Sequence, residues 1–194
     1  DYAKDILYIE KKDSVRRRQV QTVIYMALDV LVRLWAPILC HTCEEVNDFL
    51  HLEADSIHLG SFAKVDLPFD ADAVKAKLER LLLIRSDVFK ALENARNAKT
   101  IGKSLEAQVT LKADGELYDF LKENEEMLAQ VFIVSQVQLH QQAVAQPTGE
   151  MEGLAVAIEK AQGEKCERCW TYSDTVGQDA KHPTLCARCA AIIG

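Results

Sequence analysis

The sequence has no apolar run near the roughly 20 residues that a membrane helix needs. Its richest stretch, from Val20 to Leu39, is broken by Gln21, Asp29 and Arg33. It shows no basic leader followed by an apolar segment, so no signal peptide is expected and a cytoplasmic location is the default. Six cysteines in 194 residues are too few for a disulfide-dense scaffold. A recognisable active site is missing as well. The histidines His41, His51, His58, His140 and His182 form no nucleophile–base arrangement, and no pair of carboxylates is singled out by pattern. The segment Lys99–Ser104 ends like a phosphate-binding loop. Asn97 stands where such a loop needs its first glycine, and the segment is expected between a helix and a strand, the wrong context.

A basic balance is lacking too. The net charge is −7, which at first argues against a polyanion partner. The acids are unevenly placed, however. Residues 113–164 hold ten acids against two lysines, so the rest of the chain is near +1. Basic residues gather at Lys11, Lys12, Arg16, Arg17 and Arg18, and again at Lys90, Arg96, Lys99 and Lys103. Solvated helix faces account for these clusters, and a local phosphate-contacting surface is the alternative. Hydrophobic residues at 48% and charged residues at 27% describe a globular chain long enough for one core and a small satellite.

What the sequence does have is a tail with Cys166-Glu-Arg-Cys169, sixteen residues, and Cys186-Ala-Arg-Cys189. Two such pairs at this separation point to zinc. Each pair places two sulfurs on one tight turn, and the connecting loop can bring the turns face to face. Four thiolates fill a tetrahedral shell, which leaves no position for a reacting water and makes the metal structural. The competing readings are two disulfides, or one redox pair with two idle thiols. His182, in the loop, is a further potential ligand. Arg168, Trp170, Tyr172 and Arg188 stand beside the cysteines. They suit stacking on an unpaired base with phosphate contact, or Trp170 serves as the small core of the module. A further pair, Cys40 and Cys43, lies in an expected helix without a second pair, which favours ordinary packing.

Helical periodicity covers the first fifty residues. Val20, Ile24, Ala27, Leu31 and Leu34, widened by Val23, Leu28 and Trp35, form a stripe that should be buried against other helices, Ser14 is the expected N-cap, and Pro37 separates a second element over 38–50. Residues 51–68 read as a loop with a short extended piece near 57–62. A long amphipathic helix is expected over 72–98. Alternation from Leu105 to Leu111 predicts a half-buried strand, 116–130 a helix, 131–139 a strand, 141–153 a loop, and 154–158 a last strand. The fold class is therefore mainly α with a small α+β part. The expected division is a helical bundle (1–98), a small mixed junction (99–162) and a zinc module (163–194) that depends on its metal for folding.

Four stretches, in this order, carry a family resemblance: DYAKDILYIEKKDSVRRRQVQTVIY (1–25), LWAPILCHTCEEV (34–46), ALENARNAKTIGKSLEAQV (91–109), and KCERCW with LCARC (165–170, 185–189). Together they resemble the C-terminal end of bacterial isoleucyl-tRNA synthetases. Cys40 and Cys43 depart from that pattern. The resemblance implies an anticodon-binding helical bundle, a junction and one structural Zn2+. The partner it implies is isoleucine tRNA, held by a monomer with no membrane association. ATP and isoleucine would bind only in a catalytic core that this piece lacks, because no HIGH or KMSKS type signature and no editing domain occur here. Arg168 and Trp170 are the implied contacts near the anticodon, with Arg17, Arg18, Lys99 and Lys103 as candidates for backbone contacts. DNA-repair glycosylases carry a similarly spaced finger, but here the loop Trp170–Leu185 sets Lys181 against Asp174 and Asp179, and the chain does not begin with their nucleophilic proline. A protein-binding zinc module is the third reading.

Overall fold

The computed structural model describes residues 2–50, 55–64 and 70–194. The chain forms two compact units, Ile6–Ala71 and Asp1–Asp5 with Asp72–Gly194. Part of the expected 51–68 loop, including His51, lies outside the described residues.

The chain opens with α1 (Tyr2–Ile9), and the helical unit continues with α2 (Val15–Trp35) and α3 (Cys40–Leu50). Ser14 caps α2, its side chain accepting the Arg17 N–H at 3.1 Å. α2 meets α3 and a 3-10 turn at Ile57–Leu59 through Leu28, Val32, Ala36, Cys43 and Ile57. This corrects the expected contact stripe. Ile24, Leu31, Leu34 and Trp35 are about half exposed, while Leu28 of the widened stripe packs inward together with Val32 and Ala36, which lay outside it. Apolar residues surround so much of α2 that periodicity establishes the helix without selecting its buried face. The turn at Ile57–Leu59 replaces the expected extended piece. Glu44 holds it there by accepting from Ser56 Oγ at 3.1 Å and Ile57 N at 2.9 Å.

The second unit is built on α4 (Ala71–Asn97) and a three-stranded sheet in the order β2-β1-β3. The strands are β1 (Ala107–Ala113), β2 (Gln136–Gln141) and β3 (Ala155–Lys160). β1 pairs parallel with β2 and antiparallel with β3, with Val109 opposite both Val137 and Ile158. A parallel pair needs a crossover, and α5 (Gly115–Glu123) with α6 (Glu125–Phe132) supplies it. Ala107, Val109, Leu111 and Ala113 are fully buried, so the predicted alternation puts its apolar set into the core. Leu81, Ile84, Val88 and Leu92 of α4 join them, as do Leu121, Leu128 and Phe132. Gln108, expected on the solvent side, is also buried.

Two elements depart from the sequence reading. The single helix expected over 116–130 is broken at Asn124, whose side chain donates to the Phe120 carbonyl at 2.7 Å, a local bond that competes with helix continuation. The strand expected from Val131 begins only at Gln136. Val131 and Phe132 finish α6, and Ile133 turns the chain in the left-handed region at φ 57°. Burial of Val131, Phe132 and Val134 in the core outweighs their β propensity.

One buried carboxylate ties α4 to the loop before β3. Asp87 is 3% exposed and accepts the N–H groups of Glu150 and Met151 at 2.9 and 2.8 Å. A Cβ at Gly149 would stand 2.1 Å from the Asp87 carboxyl carbon. Gly149→Ala is therefore expected to destabilise the chain by about 1–3 kcal/mol through overpacking. Asp87→Ala, which strands two amides, is expected to cost about 1–3 kcal/mol for each. Urea unfolding midpoints check both, and unchanged midpoints would show that the loop is not anchored there.

Candidate zinc centre and its surroundings

The zinc segment leaves β3 and folds on the end of the sheet where β1 and β2 begin. Three hydrogen bonds place it. Ala161 N donates to Glu106 O at 2.8 Å, Gln162 N donates to Gln136 Oε1 at 2.9 Å, and Tyr172 N donates to Ser135 Oγ at 2.8 Å. Ser135 in turn donates to the Leu105 carbonyl. The loop from α4 to β1 and the zinc segment therefore share one end of the sheet. Ser135 is the hub of this junction, and no sequence pattern distinguishes it from an ordinary loop serine.

Within the segment, β4 (Glu164–Lys165) pairs with β5 (Tyr172–Ser173) around the first cysteine turn, and α7 (Ala187–Ile193) follows Cys186. Gly163, at φ 83°, lies so close to this hairpin that a Cβ would meet the Ser173 carbonyl carbon at 2.2 Å. Only glycine fits there.

The four sulfurs of Cys166, Cys169, Cys186 and Cys189 all lie within 4.8 Å of one another. Cys169 and Cys186 stand 3.8 Å apart, the edge of a tetrahedron whose zinc–sulfur bonds are about 2.3 Å. A disulfide needs sulfurs about 2.05 Å apart, so this spacing fits a metal shell and not a bridge. Cys166, Cys186 and Cys189 are buried. Backbone N–H groups point at the sulfurs, including Cys186 N to Cys166 Sγ at 3.3 Å. Burial pushes the Cys166 thiol up, but N–H donation from Cys169, Cys186 and Arg168 outweighs it and holds the pKa down at about 6. Burial and the neighbouring Cys169 charge push Cys189 well above the ordinary thiol range. Four crowded thiolates thus need a cation to ionise together. His182 is not in the cluster. Its N–H is held by Asp179 at 3.0 Å.

The remaining predicted residues fall in several places. Trp170 occupies the left-handed region at φ 66°, its N–H closing the turn on Cys166 O at 2.9 Å. The residue is 58% exposed rather than packed as a core, and Lys165 Nζ lies 5.8 Å from the ring centroid. Lys99 and Lys103 are exposed in the loop between α4 and β1, with Lys99 at φ 60°. Arg17 and Arg18 belong to the helical unit, where Arg17 donates to the Glu10 carbonyl at 3.1 Å. Cys43 packs in that unit's core, and Cys40 is exposed. Among the described residues no helix is long and apolar enough to cross a membrane.

Residues 1–111 match the model of the anticodon-binding domain of tRNA ligase, and residues 163–192 match the zinc finger found in FPG and IleRS. All of the chain aligns with three curated proteins named isoleucine--tRNA ligase. It is 47% identical to that of Syntrophotalea carbinolica, 46% to that of Carboxydothermus hydrogenoformans and 44% to that of Moorella thermoacetica. The chain spans only 21%, 21% and 22% of their respective lengths. The zinc-finger match and the four-sulfur cluster together support one structural zinc. Similarity along the whole chain disfavours the glycosylase alternative, which rested on the finger alone.

Proposed function

Because the chain belongs to the family of anticodon-binding domains of tRNA ligases, we propose that it grips the anticodon stem and loop of isoleucine tRNA. Cys166, Cys169, Cys186 and Cys189 hold one zinc that keeps residues 163–194 folded. The helical residues 1–98 and the junction 99–162 complete the grip. In this reading, isoleucine is activated with ATP by parts of a ligase that this chain does not include, in the cytoplasm. The chain's contribution is positional: it presents the acceptor end of the tRNA to that distant site.

The observation that carries this reading is the exposed Trp170 ring, fixed by the turn that follows a zinc cysteine. A rigid exposed ring beside a cation suits an unpaired base, which offers a π-face to stack and a phosphate to pair. Lys99 and Lys103, at the same end of the sheet, supply backbone contacts, and Arg17 and Arg18 supply them from the helical unit. The zinc-loaded chain, expected to be a monomer, should bind isoleucine tRNA in preference to an unrelated tRNA and to a DNA duplex. Binding should weaken with salt. A competition titration at two salt concentrations tests this. Preference that disappears when the anticodon is changed supports the reading, and equal binding to all three competitors rejects it.

A further inference from the structure

The loop that joins α4 to β1 carries one acid among its bases. Lys99 and Lys103 are exposed, and Glu106 follows directly before β1. The chain leaves α4 by a tight reversal, in which Lys99 N donates to Arg96 O at 3.0 Å and Thr100 N donates to Ala95 O at 2.9 Å. Lys99 stands in this reversal at φ 60°, where glycine is favoured. A charged side chain kept at a strained position points to a function for the loop. Glu106 shapes the remainder. Its Oε2 accepts the Gly102 N–H at 2.8 Å, and its own N–H donates to the Lys103 carbonyl at 2.9 Å. Lys103 is thus enclosed by two bonds to one residue. The Glu106 carbonyl also accepts from Ala161, on the segment that carries Trp170. Arg168 has its Nη1 buried, so the exposed cations at this end of the sheet include Lys99, Lys103 and Lys165.

We propose that Glu106 is a positioning residue for RNA: its carboxylate fixes the Gly102–Lys103 turn so that Lys103, together with Lys99, meets the phosphates beside the base that stacks on Trp170. The inference deepens the tRNA reading above and rests on it. An acid between lysines is out of place on a surface that meets phosphates, unless its charge is already engaged. Here it is engaged, first by the Gly102 N–H and then by Lys103, and both hold the carboxyl below its ordinary range. Two physical effects therefore oppose each other at this position. If charge alone mattered, removing the acid would tighten the binding of a polyanion. If Glu106 positions the loop, removing it weakens binding, because only the fraction of chains with the loop in place is competent.

The test is a titration of the full zinc-loaded chain with isoleucine tRNA. Glu106→Ala should weaken binding by about 2- to 10-fold, the population lost when one hydrogen bond no longer holds the loop. Glu106→Gln, whose amide oxygen still accepts from Gly102, should bind at least as tightly as the parent. Glu152→Ala removes an equal charge from an exposed position before β3, at the opposite end of the sheet, and should not weaken binding. A double-mutant cycle supplies a readout that a general loss of structure would not give. In a Lys103→Ala background, Glu106→Ala should lose most of its effect, because the residue it positions is gone. Unchanged or tighter binding by Glu106→Ala, an equal loss in Glu106→Gln, or full additivity with Lys103→Ala would overturn the positioning role. A parent chain that binds no tRNA would overturn the tRNA reading itself, and this outcome is distinguishable because it appears before any substitution.

Discussion

Cys166→Ser is expected to release the zinc and unfold residues 163–194 while the sheet and its helices stay folded. Zinc binding to modules of this kind supplies roughly 10–16 kcal/mol. The segment has few other sources of stability. Its buried residues are mainly the cysteines themselves, with Leu185 and Ala190. Its two short strands are only Glu164–Lys165 and Tyr172–Ser173. Among the described residues the main core, by contrast, is assembled from positions between Leu81 and Ile158 and includes none of the zinc segment. Elemental analysis should find about one zinc per parent chain and almost none in the variant. Hydrogen exchange should show lost protection in 163–194 and retained protection in β1, β2 and β3. A zinc-free variant whose tail remains protected would show that packing, and not metal, folds the segment. Acid should mimic the substitution, because protons compete with zinc for the thiolates.

The second large effect is expected at Trp170. Trp170→Ala should weaken tRNA binding by roughly 5- to 150-fold, the equivalent of one lost base stack, with the zinc retained. The backbone sharpens the comparison. Trp170 sits at φ 66°, where any residue with a Cβ is strained and glycine is not. Trp170→Gly should therefore melt at a higher temperature than Trp170→Ala, although both lose the ring and both should bind tRNA equally poorly. Binding and stability then move independently, as expected of a residue whose ring serves a ligand and whose backbone is held by the turn. Loss of zinc alongside loss of binding in both variants would assign the ring to the metal module instead. Salt titrations add a check. Losing a stack should leave the salt slope unchanged, whereas removing Lys99 or Lys103 should flatten it.

Much of the site was legible because its chemistry is local. Four cysteines in two short turns specify a metal shell whatever the rest of the chain does, and the structure brings all four sulfurs together. The cap at Ser14, the long helix α4 and the alternating strand β1 were legible for a similar reason: each is set by contacts a few residues apart. The misread elements share the opposite property. Val131 and Phe132 look like strand and end a helix, because burial against distant residues decides their conformation. Nothing near Asn124 in sequence shows that its side chain will break a helix, since the residue is compatible with either state.

The sequence by itself determined the metal chemistry and the helical character of the N-terminal part, because spacing and periodicity express short-range geometry, and its likeness to known sequences gave the family. Only the tertiary structure decided which face of α2 is buried, that Ser135 joins the zinc segment to the sheet, and that Trp170 is exposed. It alone brought Asp5 to Arg188 across 183 positions. Contacts at that separation depend on how complete elements pack, and packing leaves no periodic trace in the chain that encodes it.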